Sequence, residues 1–209
     1  MPSTVPSSAG VSAAALLAAC EIGDDAEVFH QLSHGVSVES RDVSGDTALA
    51  CAAYNGHLST CILLLRHGAN TNATSTASGD TVLMWAAAAG HRGICELLLA
   101  NEAAVNAQNT KGYSPLFRAT YKSHSDVVRL LLAAGADVTQ RTAHGKTALD
   151  QARENQDAEC GRPLEYFFNQ DPIEMERVKL MFPQAAANYI VLPPANEVGK
   201  SASPVRSRA

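Results

Sequence analysis

The chain has 209 residues, which is enough for one ordinary domain or for a row of short repeats with a tail. Hydrophobic residues make up 46% and charged residues 18%, so we expect a packed core. The formal net charge of −5 argues against a nucleic-acid binder with a broad basic face. No apolar run reaches the roughly 18 residues that a membrane-spanning helix needs, so we expect no membrane contact.

The N-terminal segment, residues 1–11, is rich in Pro and Ser and is predicted to be a disordered tail. It has no basic residue before its apolar part, so we do not expect a secretory signal. Residues 12–44 form a weak copy of the sequence that follows, since Leu16 lies 33 residues before Leu49. We therefore predict that residues 12–44 are a degenerate cap of a repeat domain.

Three clear repeats follow, over residues 45–78, 79–111 and 112–144. Each opens with a turn that ends in glycine, followed by a Thr or Ser suited to cap a helix, a short Ala-rich helix and a second helix with larger hydrophobic residues. Neither helix can bury its apolar face alone, so neighbouring repeats must stack to form a core. The turn glycines are spaced by 34, 33 and 33 residues at Gly45, Gly79, Gly112 and Gly145, and the capping positions are Thr47, Thr81, Ser114 and Thr147.

The second helix of a repeat is predicted to end at a glycine such as Gly68 or Gly135, which suits the left-handed conformation of a C-terminal cap. In one repeat Glu102 holds this position. A residue with a side chain costs on the order of 1 kcal/mol in that conformation. We therefore expect the loop at Glu102 to differ from its counterparts.

The C-terminal part begins with a partial cap over residues 145–168. Residues 169–209 are predicted to be a tail in which residues 171–182 could form one short amphipathic helix before a disordered end. That helix would either pack on the last repeat or act as a docking motif.

Histidine and cysteine recur four residues apart, at His57 and Cys61 and again at His91 and Cys95. This spacing could ligate a metal. Structural roles are favoured, because Val128 takes the cysteine position in the next repeat and thus indicates a buried apolar site. Phosphate-binding and nucleophile motifs are missing from the sequence. We expect no enzyme activity, metal, cofactor or small-molecule substrate.

The repeats resemble the ankyrin repeat family, through G-x-T-x-L, then A-A-x-x-G-H, then L-L-L-x-x-G-A at a period of about 33 residues. "GDTALACAAYNGHLSTCILLLRHGAN" carries these motifs most fully. The resemblance covers Ser12 to Phe168 and implies an all-α solenoid of stacked helix-turn-helix repeats with hairpin-like turns. The histidine of the family's T-P-L-H motif is replaced by Ala50, Met84 and Phe117, so its hydrogen bonds between turns are in doubt.

The resemblance also implies a surface for a protein partner. Ankyrin proteins commonly bind through a concave surface, formed by the turn tips and the exposed side of each first helix. Asp46, Asp80 and Glu21 would make one end acidic, and Lys111, Arg118, Lys122 and Lys146 would make the other basic. Aromatic and arginine side chains are enriched at binding hot spots. The candidate contact residues are Tyr54, Trp85, Tyr113, Arg118, Tyr121 and Lys122, and packing between helices is the alternative role for Trp85.

The predicted function is a non-catalytic protein–protein interaction module. Its partner is a protein of unknown identity, and an adaptor, an inhibitor and an assembly chaperone for a basic protein remain open. The alternative is a permanent structural subunit of a cytoskeletal or organellar assembly. An odd count of five cysteines without a C-x-x-C motif fits reduced thiols, so we expect a cytoplasmic or nuclear protein, monomeric on its own.

Overall fold

The structure is a computed structural model that describes residues 10–169. Within that range the chain forms ten short helices, two for each repeat unit, joined by tight turns. The helices are α1 (Ala13–Ile22), α2 (Asp25–Ser33), α3 (Ala48–Asn55), α4 (Leu58–Arg66), α5 (Val82–Ala89), α6 (Arg92–Ala100), α7 (Pro115–Tyr121), α8 (Ser125–Ala133), α9 (Ala148–Glu154) and α10 (Ala158–Phe168).

The ten helices pack in two rows. The first helices of the repeats, α1, α3, α5, α7 and α9, contact one another in sequence order, and the second helices α2, α4, α6, α8 and α10 do the same. The part of the chain that is described has no strand, and its extended contacts are two isolated bridges in the turns, Arg41 with Thr47 and Thr74 with Thr81. This arrangement confirms the predicted all-α ankyrin solenoid.

The first helix of each repeat begins at the hydroxyl residue that the sequence indicates. Thr47, Thr81 and Ser114 each accept a hydrogen bond from the backbone N–H three residues later. At Thr147 the cap is reciprocal, because the Asp150 carboxylate also accepts from the Thr147 N–H. Helices of seven or eight residues are marginal in isolation, so these caps and the packing of neighbouring repeats are needed to hold them.

The core lies between the two rows of helices. Alanines on the first helices, such as Ala52 and Ala86, are fully buried and allow close helix approach. The second helices contribute the larger side chains. Cys61 and Cys95 are fully buried like their counterpart Val128, and burial raises the pKa of both thiols to about 12. These cysteines are neutral hydrophobic core residues at physiological pH.

A histidine ladder links the repeats. The His57, His91 and His124 rings each donate from Nε2 to a backbone carbonyl of the preceding repeat, over 2.9, 3.0 and 3.1 Å. Each ring also lies over a glycine with positive φ that ends the preceding first helix. At Gly56, a Cβ atom would lie 2.6 Å from Cε1 of His91, so only glycine fits.

The turn tips are joined by backbone hydrogen bonds. The Thr110 N–H donates to the Ser78 carbonyl over 3.2 Å, and the Ala143 N–H donates to the Lys111 carbonyl over 2.9 Å. Main-chain groups therefore connect neighbouring turns in a protein that lacks the family's T-P-L-H histidine.

The loop at Glu102 corrects one expectation. Glu102 has a φ of 60°, so it takes the same left-handed conformation as its glycine counterparts. The Ala103 N–H donates to the Leu98 carbonyl, just as the Ala69 N–H donates to Leu64 in the preceding repeat. The expected difference was wrong, because the loop keeps its cap hydrogen bonds and the Glu102 side chain is exposed, so it meets no packing conflict.

Several predictions concern residues outside the described range. These are the N-terminal tail up to residue 9 and the C-terminal tail from residue 170, including the short helix over 171–182. The domain boundaries stay predictions. No helix within residues 10–169 is long and apolar enough to cross a membrane.

Candidate partner-binding surface

All six candidate contact residues lie on the side formed by the turns and the first helices, which we call the concave surface. Tyr54 lies on α3, Trp85 on α5, and Arg118 and Tyr121 on α7. Tyr113 precedes α7 and Lys122 follows it. Together with Phe117, they form one line of contacting side chains. Arg118 joins an N-terminal group, Tyr54 and Trp85, to a C-terminal group, which consists of Tyr113, Phe117, Tyr121 and Lys122.

Trp85 is partly buried and makes contacts on both sides. Its indole Nε1 donates to Oδ1 of Asp46, which lies in the turn of the preceding repeat, over 3.1 Å. The ring of Tyr54 meets it edge to face, with centroids 5.5 Å apart and an angle of 81°. Trp85 therefore packs between repeats and is also partly exposed on the concave surface, and its contact with a partner stays a prediction.

Arg118 connects Trp85 to the C-terminal group. Its guanidinium carbon lies 5.7 Å from the Trp85 ring centroid and 5.3 Å from the Tyr113 ring centroid, within range for cation–π attraction. Its Nε donates to Oδ1 of Asp80 over 3.2 Å, and a second guanidinium nitrogen bonds the other carboxylate oxygen. Such a two-point pair fixes the plane of the guanidinium.

Asp80 departs from its predicted place on an acidic surface. Only 1% of the residue is exposed. Besides Arg118, the Asn109 amide donates to its carboxylate over 2.8 Å. The prediction of an exposed Asp80 was wrong, because the Arg118 guanidinium from the next repeat and the Asn109 amide satisfy the carboxylate and let the turn bury it.

The C-terminal group is a stack of three rings. The Tyr113 and Phe117 rings are nearly parallel with centroids 4.8 Å apart, and Phe117 and Tyr121 follow at 6.4 Å. Lys122 Nζ lies 5.9 Å from the exposed Tyr121 ring. Phe117 was missed by sequence reasoning. It lies on α7 four residues before Tyr121, and only 5% of it is exposed, so it supports the two tyrosines from the core.

The predicted basic end is only partly basic. The charge of Arg118 is matched by Asp80, and Lys146 forms an ion pair with Glu154 over 2.7 Å. Lys111 and Lys122 are exposed and form no ion pair within residues 10–169. The expected run of four cations is therefore reduced to two.

The N-terminal group borders a pocket of about 620 Å³, which we call the Trp85 pocket. Tyr54 and Trp85 form aromatic walls, and three carboxylates line it. Asp42 was missed by sequence reasoning, although it lies four residues before Asp46 in the same turn. Burial raises the pKa of Asp46 above its usual value, against the opposing hydrogen bonds from Ser75 and Trp85. The carboxylates in the pocket are Glu21, Asp42 and Asp46.

The histidine and cysteine pairs that were considered as metal ligands make other contacts in the structure. Among the residues that it describes, no three His, Cys, Asp or Glu side chains could hold a metal ion together. The His57 and His91 rings instead bond backbone carbonyls, and the Cys61 and Cys95 side chains are buried in the core.

Comparison with protein families agrees with this geometry. A model of ankyrin repeats in three copies matches residues 16–109, and a model of ankyrin repeats in many copies matches residues 98–152. Together the two matches span well over half of the chain. Ankyrin repeats generally mediate protein–protein interaction and are typically non-catalytic. The two-row fold, the histidine ladder and these matches establish that the chain belongs to the ankyrin repeat family.

Proposed function

We propose that the chain is a non-catalytic interaction module that binds a protein partner through its concave surface. The observation that carries the proposal is the line of aromatic side chains along that surface. Tyr54 and Tyr121 are 51% and 53% exposed, and aromatic side chains are enriched at binding hot spots. The proposed contact residues are Tyr54, Trp85, Tyr113, Arg118, Tyr121 and Lys122.

The side chains of this surface are held in fixed positions, which favours recognition of a partner. Tyr113, Phe117 and Tyr121 are stacked, and Trp85 is held between Asp46 and Tyr54. Aromatic side chains that are fixed before binding lose little conformational freedom when a partner docks. The surface therefore offers large apolar contacts at a small entropic cost.

A direct test is affinity purification of the full chain from its native cell. The wild type would be compared with a Trp85→Ala, Tyr121→Ala variant and with a Phe29→Ala, Tyr166→Ala control. The control removes two exposed rings from the second helices α2 and α10. We expect at least a tenfold loss of the partner with the first variant and no loss with the control, since hot-spot aromatics each contribute about 2 kcal/mol.

Circular dichroism and melting temperature must first show that the variants are folded. If the partner persists with Trp85→Ala, Tyr121→Ala and is lost with the control, binding uses the second-helix side and the proposal fails. Sedimentation of cell extracts in high salt distinguishes a transient interaction module from a permanent structural subunit. A largely free pool fits an adaptor, inhibitor or assembly chaperone, whereas salt-resistant co-sedimentation fits a permanent structural subunit.

A further inference from the structure

The Trp85 pocket is distinguished by its uncompensated charge. Within residues 10–169, none of its three carboxylates, Glu21, Asp42 and Asp46, forms an ion pair. Asp42 accepts from the backbone N–H groups of Ser44 and Asp46, both over 2.8 Å, and Asp46 accepts from the Trp85 indole. All of these donors are neutral, so they orient the carboxylates without cancelling their charge.

The walls of the pocket suit a cation with an apolar stem. Tyr54 and Trp85 stand almost at right angles, at 81°, so they present differently oriented ring surfaces beside the carboxylates. Ring faces attract ammonium and guanidinium groups, and apolar surface accommodates the methylene stem of a lysine or arginine. The Trp85 ring already lies against one guanidinium, that of Arg118, whose charge is matched by Asp80.

A bare metal ion fits this site poorly. The three carboxylates do not belong to any cluster that could share one ion among the described residues. A volume of about 620 Å³ is also far larger than one ion needs and is within the range of sites that hold organic groups. A long side chain can contact the rings and reach separate carboxylates at once.

We propose that the Trp85 pocket receives a lysine or arginine side chain of the protein partner. This proposal rests on the proposed function, because it specifies what one part of the concave surface recognises. The ring faces of Tyr54 and Trp85 hold the stem, and Asp46, Glu21 and Asp42 attract the charged end. The partner therefore presents a basic side chain next to an apolar segment that covers the C-terminal rings.

Trp85 provides a clean reporter, because it is the only tryptophan in the chain. The full-length, ¹⁵N-labelled protein would be titrated with N-acetyl-arginine methylamide and N-acetyl-lysine methylamide, following the indole N–H resonance. N-acetyl-norleucine methylamide is the uncharged control. We expect a saturable shift with the two basic probes, weakened by added salt, and no matching shift with norleucine.

Three variants locate the charge that is responsible. Asp46→Asn and Glu21→Gln should each weaken binding of the arginine probe by about fivefold, because each removes one nearby negative charge. Glu159→Gln removes the same charge from α10 and should change binding less than twofold. Equal shifts with norleucine, or no saturable shift with either basic probe, would overturn the proposal. So would equal effects of all three variants.

The same variants separate this proposal from the proposed function. If partner capture is lost with Trp85→Ala, Tyr121→Ala but unchanged with Asp46→Asn and Glu21→Gln, the concave surface binds the partner and the basic-side-chain proposal fails. If the basic probes bind but every concave-surface variant captures the partner as well as the wild type does, the proposed function fails. Tighter binding of spermidine than of either probe, with capture unchanged in Asp46→Asn, assigns the pocket to a free polyamine and overturns the side-chain proposal.

Discussion

Two neighbouring repeats satisfy the same turn aspartate in different ways. Asp46 and Asp80 occupy equivalent positions, and each accepts a hydrogen bond from the first helix of the next repeat. The donor to Asp46 is the neutral indole of Trp85, whereas the donor to Asp80 is the charged guanidinium of Arg118. The neutral donor preserves the negative charge and the charged donor cancels it.

This difference determines which aspartate can be buried. Asp80 is 1% exposed, since its charge is matched within the protein. Asp46 keeps partial contact with water, and the burial that it does undergo raises its pKa. A charged donor on the next first helix, together with the Asn109 amide, thus accompanies a buried turn aspartate, whereas a neutral donor accompanies a partly exposed one.

The largest expected effect is from Arg118→Ala. This substitution leaves the buried Asp80 carboxylate with Asn109 but without its cation. We expect the free energy of unfolding to fall by about 3 kcal/mol, the lower end of the range for breaking a buried pair, because the Arg118 side chain is itself 22% exposed. Urea denaturation measures this loss. A combined Asp80→Asn, Arg118→Ala variant should recover part of it, and a loss below about 1 kcal/mol would contradict the buried-pair explanation.

Exchanging the two donors sharpens the comparison. Arg118→Trp should destabilise the protein by about 2 kcal/mol or more, since a neutral indole cannot match the buried Asp80 charge. Trp85→Arg should change stability by no more than about 1 kcal/mol, because lost ring contacts with Tyr54 are offset by an ion pair with Asp46. The same denaturation experiment compares them. Equal losses would show that ring packing, rather than charge matching, governs both positions.

The pH dependence of stability offers a smaller test. Burial raises the pKa of Asp46 above its ordinary value of 3.8. Between the unfolded-state pKa and the higher folded-state pKa, the folded state therefore binds more protons than the unfolded state. Stability therefore falls through that range, so Asp46→Asn should raise Tm at pH 7 by about 1–2 °C. The gain should shrink as the pH approaches 3.8, where Asp46 also becomes neutral in the wild type.

Asp150, in the last repeat unit, has a pKa shift of the opposite sign. Hydrogen bonds from the Thr147 backbone and side chain lower its pKa. The stability that Asp150 contributes is fully present above its pKa in the unfolded state. It is lost as the pH falls through its lower pKa in the folded state. Asp150→Asn should therefore lower Tm at pH 7, again by about 1–2 °C. Scanning calorimetry over a pH series compares both variants, and shifts of the same sign would refute the contrast.

Local and periodic features of this structure follow from the sequence. The hydroxyl caps at Thr47 and Thr81 depend only on each threonine and the backbone N–H three residues later. The burial of Cys61 follows from the repeat position that it shares with Val128. The placement of all six candidate residues on one side also follows, because the period assigns each to a turn or a first helix. Their role in binding stays a prediction.

The charge state of the surface does not follow from local sequence. Asp46 and Asp80 lie in the same tetrapeptide, SGDT, yet their burial differs. They differ in the side chain that reaches them from 38 or 39 positions later, and Asp80 also accepts from the Asn109 amide. The period identifies Trp85 and Arg118 as equivalent, but only the packed structure shows that each contacts the aspartate of the preceding repeat.

The smallest expected effect concerns Glu102, where the sequence led to a wrong expectation. Its left-handed conformation is strained by about 1 kcal/mol in a residue with a side chain. Glycine would relieve that strain but would also increase the conformational freedom of the unfolded chain. Glu102→Gly should therefore raise the free energy of unfolding by only about 0.5 kcal/mol, measured by urea denaturation.

The equivalent glycine of another repeat serves as the control. Gly68→Ala, at a φ of 84° and with open space around its Cβ position, should lower the free energy of unfolding by about 1 kcal/mol. A loss of stability in Glu102→Gly would mean that the glutamate side chain makes a stabilising contact. The strain argument for this position would then be wrong.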